Sequence, residues 1–260
     1  TRRSSDLLMI AIWQIIPSIR SGSTVVIKPS EYTTIGTLEL VRLISEVLPK
    51  GVINTVSGAG EVGAFLTSNP GIDKIMFTGS ARTGSRIAEA AARNMVPTTM
   101  ELGGNDAAIV LPDADPKAIA MGLFWGAFIN MGQTCACAKR LYVHESIFDQ
   151  TVQALKELAQ AMPMGNGMDD GMVMGPIQNK MQYDKVVDLV ESAKKAGATI
   201  VCGGQPKGGA GYFYPLTLVT GLQDGARLVD EEQFGPVLLI IKYRDLDQAV
   251  QLLEEVVGAE

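Results

Sequence analysis

The sequence predicts an α/β fold with a parallel sheet, on the basis of two observations. Short apolar or β-branched runs alternate with segments of helical spacing in the first part of the chain, and turns rich in glycine or proline follow the runs. Strands and helices that alternate in this way form parallel sheets covered on both faces. Ligands bind such sheets beyond the carboxyl ends of the strands, where Lys28, Gly58 and Ser80 lie in this chain.

The elements of the first part follow from spacing and from turn residues. The first strand must end before Pro29, which cannot donate a backbone hydrogen bond to a strand ladder. The second ends before Gly58, and the third ends before the turn at residues 78–80. The predicted strands are 24–27, 51–56, 74–77 and 98–101. The predicted helices are 7–20, 34–47, 61–67 and 83–94.

The second part of the chain continues the α/β pattern with clearer helix boundaries. Asp115 followed by Pro116 predicts a helix start, because Asp caps helix N-termini and Pro fits the first helical position. That helix should run to about Asn130, with Gly132 as a left-handed cap. The glycine-rich segment 203–211 is expected to be a hairpin or loop. The predicted strands are 107–111, 140–144 and 237–243. The other predicted helices are 146–161, 178–196 and 246–257.

Composition excludes several classes of protein. A net charge of −6 with scattered basic residues argues against nucleic-acid binding, which needs a concentrated basic face. No apolar run reaches the roughly 18 residues of a membrane helix, so we expect no membrane partner. Three cysteines do not form a disulfide framework, and an odd number favours a reducing compartment. The expected location is therefore the cytoplasm.

Cys135 and Glu101 form the most informative pair of residues in the chain. Cys135 follows a polar turn that contains Gly132, and Glu101 ends an apolar strand just before Gly103 and Gly104. A thiol has an unperturbed pKa of about 8.5, so it needs a neighbouring proton acceptor to act as a nucleophile at neutral pH. A carboxylate in a dry pocket can accept that proton. The ordinary alternatives are a buried packing cysteine and a solvated glutamate.

Other arrangements of the reactive residues are less favoured. Cys137 and Cys202 do not complete a zinc ligand set with the single histidine, so we expect them to be packing residues and no metal to bind. His144 ends an apolar strand, which indicates a structural or exposed residue and disfavours a Cys–His hydrolase.

Two glycine-containing segments could hold a nucleotide. Residues 58–63 match G-x-G-x-x-G after a strand, but the acidic residue expected about 20 positions later is missing. The helix that follows Ser80 could equally present its N-terminal amides to a phosphate. Lys28 and Glu31 could bind ribose hydroxyls, although a solvated turn is the simpler explanation.

Together these motifs resemble those of the aldehyde dehydrogenase superfamily, over roughly residues 8–248 and in the same order and spacing. The motifs are Lys28-Pro29-Ser30-Glu31, Phe77-Thr78-Gly79-Ser80, Glu101-Leu102-Gly103-Gly104, Gly132-Gln133-Thr134-Cys135 and Glu231-Glu232-Gln233-Phe234-Gly235-Pro236. The resemblance implies a partial, Rossmann-like NAD(P)-binding domain at residues 1–102. It also implies an α/β catalytic domain, shortened at its C-terminus, at residues 103–260.

The resemblance implies oxidation of an aldehyde to a carboxylic acid with NAD(P)⁺. Cys135 would attack the carbonyl, Glu101 would deprotonate the thiol or the hydrolytic water, and the backbone N–H of Cys135 would contribute to an oxyanion hole. Trp13 and Phe128 would line the aldehyde tunnel. The cofactor-binding residues would be Lys28, Ser30, Glu31, Gly60, Phe77, Thr78, Gly79, Ser80, Leu102, Gly103, Glu232 and Phe234. NAD is preferred because Glu31 would repel a 2′-phosphate, while NADP stays open, and the sequence does not specify the aldehyde.

The chain departs from the family pattern at both ends. Ser5 occupies the position of the asparagine that completes the oxyanion hole. We expect an internal portion of an aldehyde dehydrogenase whose terminal regions are missing or atypical. Full-length relatives would form homo-oligomers, and the hairpin they use would be absent. Two rival functions stay open: a nucleotide-binding fragment with impaired catalysis, and a CoA-acylating relative.

Overall fold

The computed structural model describes residues 7–257, which divide into two compact units with the boundary between Gly103 and Gly104. The elements of each unit follow the predicted alternation of strands and helices. No helix among the described residues is long and apolar enough to cross a membrane.

The first unit consists of four helices and four short strands among its described residues. The helices are α1 (Leu7–Arg20), α2 (Thr34–Ser45), α3 (Gly60–Thr67) and α4 (Ala81–Arg93). The strands are β1 (Val25–Ile27), β2 (Ile53–Thr55), β3 (Ile75–Thr78) and β4 (Thr98–Glu101). All eight elements lie where the sequence predicted them, and their ends differ from the predicted residues by at most two positions.

The strands of the first unit are parallel, as predicted, but they pair in two separate ladders. β1 pairs with β2 and β3 pairs with β4, and the described hydrogen bonds do not join these pairs into one sheet. The core of this unit packs Ala11 and Ile15 of α1 against Val41 of α2 and Ile53 of β2. The apolar spacing of α1 and α2 therefore determines which faces of the two helices are buried.

The second unit has a five-stranded sheet of order β5-β6-β9-β8-β7. All neighbouring pairs are parallel except β7 with β8. The strands are β5 (Asp106–Val110), β6 (Ala138–His144), β7 (Thr199–Cys202), β8 (Thr217–Thr220) and β9 (Val237–Tyr243). The helices are α5 (Pro116–Phe128), α6 (Phe148–Ala161), α7 (Lys180–Lys195), α8 (Arg227–Asp230) and α9 (Leu246–Val257).

Alternate side chains of β9 enter cores on opposite faces of the sheet, because side chains of a strand point to alternating sides. Leu238 and Ile240 join the core that contains Phe124 and Phe128 of α5. Leu239 and Ile241 join the core built with α7 and α9. A sheet with both faces covered accounts for the continuous apolar run of this strand.

Several features of the second unit differ from the sequence prediction, including helix α8, which was not predicted. β7 and β8 were not predicted, and the glycine-rich segment 203–211 lies in the connection between them. Helix α5 ends at Phe128 rather than near Asn130. It ends early because Asn130 and Met131 adopt left-handed conformations, with φ of 50° and 60°, which an α-helix cannot contain.

Candidate active site

The segment that leads to Cys135 has an unusual backbone. We call residues 129–137 the nucleophile loop. Asn130, Met131 and Gly132 have consecutive positive φ angles of 50°, 60° and 66°. The left-handed conformation costs a non-glycine residue about 1–3 kcal/mol and persists only where the surroundings hold it. Such strain is concentrated at functional sites in proteins.

The buried side chain of Gln133 holds this strained loop. Its Nε2 donates to the Asn130 carbonyl oxygen at 3.1 Å, and its Oε1 accepts from the backbone N–H of Gln178 at 2.9 Å. Asn130 Nδ2 donates in return to the Gln133 carbonyl oxygen at 3.3 Å. Gln133 therefore connects the nucleophile loop to the segment that precedes α7.

Gly104 brings Cys135 and Glu232 into one neighbourhood within the second unit. A Cβ atom at Gly104 would overlap the backbone carbonyl oxygen of Cys135, so only glycine allows this close approach. The backbone N–H of Gly104 donates to Glu232 Oε1 at 3.1 Å. Three motifs that lie far apart in the sequence thus meet at Gly104. The Cys135 side chain is half-buried.

The turn at residues 232–235, which we call the carbonyl turn, is held by side chains at four successive carbonyl groups. Lys185 Nζ donates to the Glu232 carbonyl oxygen at 2.6 Å. Gln182 Nε2 donates to the carbonyl oxygens of Gln233 and Phe234, at 2.6 and 3.1 Å. The fourth carbonyl, of Gly235, accepts from a lysine of β6. These contacts hold Phe234, which is buried with φ of 46°.

Gly132→Ala is expected to destabilise the protein by about 2–4 kcal/mol, because it adds left-handed strain to overpacking. A Cβ atom there would overlap the Gly235 carbonyl oxygen and a lysine amine, at a residue whose φ is +66°. Gly126→Ala is the matched control, since a Cβ atom there meets nothing within 4 Å. In α5 this control should stabilise by about 0.5–1 kcal/mol. Urea unfolding measures both values, and equal midpoints for the two variants would contradict the packing argument.

Lys28 joins two predicted nucleotide-binding segments within the first unit. Its Nζ donates to the carbonyl oxygens of Pro29 and Gly58, at 2.7 and 3.0 Å. Ser30 is buried and Glu31 is exposed. At Gly60 a Cβ atom would meet nothing within 4 Å, so the packing of the described atoms does not require glycine there.

The ends of β3 and β4 bring a second group of predicted residues together in the first unit. The N–H of Gly79 donates to the Glu101 carbonyl oxygen at 2.9 Å. Ser80 caps α4, since its Oγ accepts from the N–H of Thr83 at 3.3 Å. Thr78 Oγ1 accepts from Gln14 at 3.0 Å. The side chain of Glu101 is exposed, so the described residues of its own unit do not form the dry pocket that a buried base requires.

The match to a family model decides the relationship of this chain. The model of the aldehyde dehydrogenase family matches residues 7–257. The chain belongs to the aldehyde dehydrogenase family. The resemblance predicted from the five motifs is thereby confirmed.

Individual members of the aldehyde dehydrogenase family resemble the chain over most of its length. Aldehyde dehydrogenase 1A1 of Homo sapiens is 42% identical over 247 residues, which cover 94% of this chain and 49% of that protein. The solved structure of an aldehyde dehydrogenase mutant from Bacillus cereus matches with a TM-score of 0.91 and 34% identity, covering 94% of this chain and 50% of that one. Betaine aldehyde dehydrogenase from Staphylococcus aureus, solved in complex with NAD⁺, matches with a TM-score of 0.89 and 35% identity, covering 94% and 50%. The chain spans about half the length of these relatives.

The two residues predicted to line the aldehyde tunnel lie in contrasting surroundings. Trp13 is 62% exposed on α1. Phe128 is fully buried in the core of the second unit, with its ring centroid 5.2 Å from that of Phe124. The buried position gives Phe128 a packing role, and lining of the tunnel stays a prediction for both residues. Ser5 lies outside the described residues.

The remaining cysteines and the histidine have structural surroundings. Cys137 is buried, and burial raises the pKa of its thiol and of the Cys202 thiol. The ring of His144 packs edge-on against Tyr243, and its Nδ1 accepts from the Ser146 N–H at 3.3 Å. Within residues 7–257, no group of three or more His, Cys, Asp or Glu side chains could hold a metal ion.

Sequence reasoning missed the side chains that support the aldehyde dehydrogenase motifs. These are Gln133 beneath the nucleophile loop, Gln182 beneath the carbonyl turn, and Lys139 between them. Lys139 left a signal in the sequence, because Lys139 and Arg140 are two consecutive basic residues directly before the apolar run of β6. Gln133 belongs to the motif that contains Cys135, but its supporting role and that of Gln182 left no signal, since the role of a buried glutamine is identified only by its distant partners.

Proposed function

We propose that this chain is the part of an NAD(P)-dependent aldehyde dehydrogenase that carries the nucleophile Cys135 and oxidises an aldehyde to a carboxylic acid. The observation that supports the proposal best is that Gly104 contacts both the Cys135 and the Glu232 motifs. There the backbone of Cys135 and the carboxylate of Glu232 meet in one unit. This chemistry requires a thiol nucleophile close to a carboxylate that can accept hydrogen bonds from the ribose hydroxyls of the cofactor.

The residues of each unit suit one part of a dinucleotide. In the first unit, Lys28 and Glu31 offer an ammonium group and a carboxylate to ribose hydroxyls, and the N-terminus of α4 at Ser80 suits the pyrophosphate. In the second unit, the Glu232 carboxylate suits the other ribose, and Phe234 offers an aromatic ring beside it. The open space over Gly60 is compatible with close approach of a ligand. Bound NAD(P)⁺ supplies the hydride acceptor.

In the proposed mechanism, the Cys135 thiolate adds to the aldehyde carbonyl carbon and forms a thiohemiacetal. The backbone N–H of Cys135 donates to the oxyanion, a kind of contact worth about 3 kcal/mol in other enzymes. Loss of hydride from that carbon leaves a thioester on Cys135. Glu101 then takes a proton from water, the resulting hydroxide attacks the thioester carbon, and the carbon–sulfur bond breaks to release the carboxylic acid and the Cys135 thiolate.

The proposal is tested by incubating the chain with a panel of aldehydes and either NAD⁺ or NADP⁺, with and without CoA. We expect one reduced cofactor and one carboxylic acid per aldehyde, independent of CoA. Formation of an acyl-CoA would favour the CoA-acylating rival. Calorimetric binding of NAD⁺ without any turnover would favour a nucleotide-binding fragment. Initial rates across the panel would identify the aldehyde class.

Lys28→Met is expected to weaken binding of NAD⁺ by about 10-fold or more, since hydrogen bonds to charged groups contribute about 1.5–3 kcal/mol. The matched control is Lys74→Met, which removes an exposed lysine of the same unit. Calorimetry of both variants measures the dissociation constants. An unchanged constant for Lys28→Met would remove this residue from the proposed cofactor site.

A further inference from the structure

We propose that Lys139 is a positioning residue that couples the nucleophile loop to the carbonyl turn, so that Cys135 and Phe234 keep one fixed relation. This inference rests on the proposed function, because it gives Lys139 a role in the same site. It is based on the Lys139 amine, which links strand β6 to helix α5 and to the carbonyl turn.

Lys139 Nζ makes two hydrogen bonds in the interior of the second unit. It donates to the Gly235 carbonyl oxygen at 2.9 Å and to the Ala127 carbonyl oxygen at 3.4 Å. The first oxygen belongs to the carbonyl turn, and the second to the last turn of α5, directly before the nucleophile loop. A Cβ atom at Gly132 would overlap both Nζ and the Gly235 oxygen, so the loop itself packs on this junction. The Lys139 amine therefore binds the carbonyl turn and the end of α5, and it lies against Gly132 of the nucleophile loop.

The other supports of the carbonyl turn differ from Lys139 in what they connect. Gln182 and Lys185 hold the turn from α7, through the carbonyl groups of residues 232–234. Lys139 holds the last carbonyl of the turn and links it to α5 and Gly132. Removal of Gln182 should therefore loosen only the turn, whereas removal of Lys139 should loosen the turn and the loop together.

A lysine in this position is unfavourable for stability alone. Its side chain is fully buried, and burial lowers the pKa of the amine to about 8, while the charges of Cys137 and Glu232 act in the opposite direction. A methionine of similar length would fill the same space without desolvating a charge. A role in positioning gives a reason for an amine here, since methionine cannot donate to two carbonyl groups.

The test compares three variants of the full chain: Lys139→Met, Gln182→Met and Val143→Ala. Val143 is fully buried on the same strand and serves as the control for loss of stability. Hydrogen exchange of backbone amides is followed in peptides that contain residues 129–137 and 232–236. For Lys139→Met we expect both peptides to exchange about 10-fold faster. For Gln182→Met we expect only the peptide with residues 232–236 to exchange faster. For Val143→Ala we expect neither peptide to exchange faster than the loss of global stability explains.

Kinetics provide the second measurement. If the wild-type chain oxidises aldehydes, Lys139→Met should lower kcat by about 10-fold to 100-fold while KM for the aldehyde changes by less than about 2-fold. Faster exchange at only one peptide, or equal effects in Val143→Ala, would overturn the positioning role. If the wild-type chain has no turnover, the proposed function fails, and the exchange rates alone decide whether Lys139 couples the two segments.

Discussion

Cys135→Ala is expected to reduce oxidation of aldehydes by about 10⁴-fold or more, since removal of a catalytic nucleophile has effects of this size or larger in other enzymes. The variant should retain its affinity for NAD⁺, because the proposed cofactor contacts are made by other side chains. Steady-state formation of NADH with a saturating aldehyde measures the loss, and mass spectrometry of the trapped wild-type chain should find the acyl group on the peptide with Cys135.

Cys202→Ala is the matched control for this variant. Cys202 lies on β7, and its Sγ donates weakly to the Leu216 carbonyl oxygen at 3.8 Å. The control should keep its turnover, with only a loss of packing stability. Activity of Cys135→Ala within 10-fold of wild type, or an acyl group found on Cys202, would disprove the assignment of the nucleophile.

Glu101→Gln is expected to reduce steady-state release of acid by about 10²- to 10⁴-fold, which is the usual contribution of a general base. Rapid mixing distinguishes its two proposed roles. If Glu101 activates the hydrolytic water, the variant still forms its first equivalent of NADH in a rapid burst, and the thioester then accumulates. If it deprotonates Cys135, the burst itself becomes slow.

Glu89→Gln is the control for the carboxylate. Glu89 forms an exposed ion pair with Arg93 on α4 in the same unit, and such pairs contribute little to stability. Its removal should leave both the burst and the steady-state rate unchanged. Wild-type kinetics in Glu101→Gln would mean that another group accepts the proton.

The helices and strands could largely be predicted, because their signals are local. Asp115 and Pro116 predicted the start of α5, and the Asp115 side chain caps it by accepting the N–H of Lys117. β4, β9 and α9 begin and end at the predicted residues. β7 and β8 were missed, since each has four residues and neither shows a regular alternation. Only pairing with β9 and with each other makes them strands.

The chemical residues of the candidate site could be proposed from motifs, but their supports could not. Gly104 was predicted only as part of the Glu101-Leu102-Gly103-Gly104 motif, whereas its contacts with Cys135 and Glu232 require the folded second unit. The end of α5 was predicted two residues too late for the same reason. Asn130 and Met131 are left-handed because Gln133 and its partner at Gln178 hold them, and Gln178 lies 45 residues away.

The sequence alone determined the alternation of helices and strands and the family, and it proposed the thiol of Cys135 and the carboxylate of Glu101, because periodicity and motif spacing are properties of the linear chain. The tertiary structure decided which polar groups become buried supports. Lys139 shows the reason: its amine donates to a carbonyl group 96 residues away. Whether a charged side chain is solvated or buried depends on such distant partners, which only folding brings together.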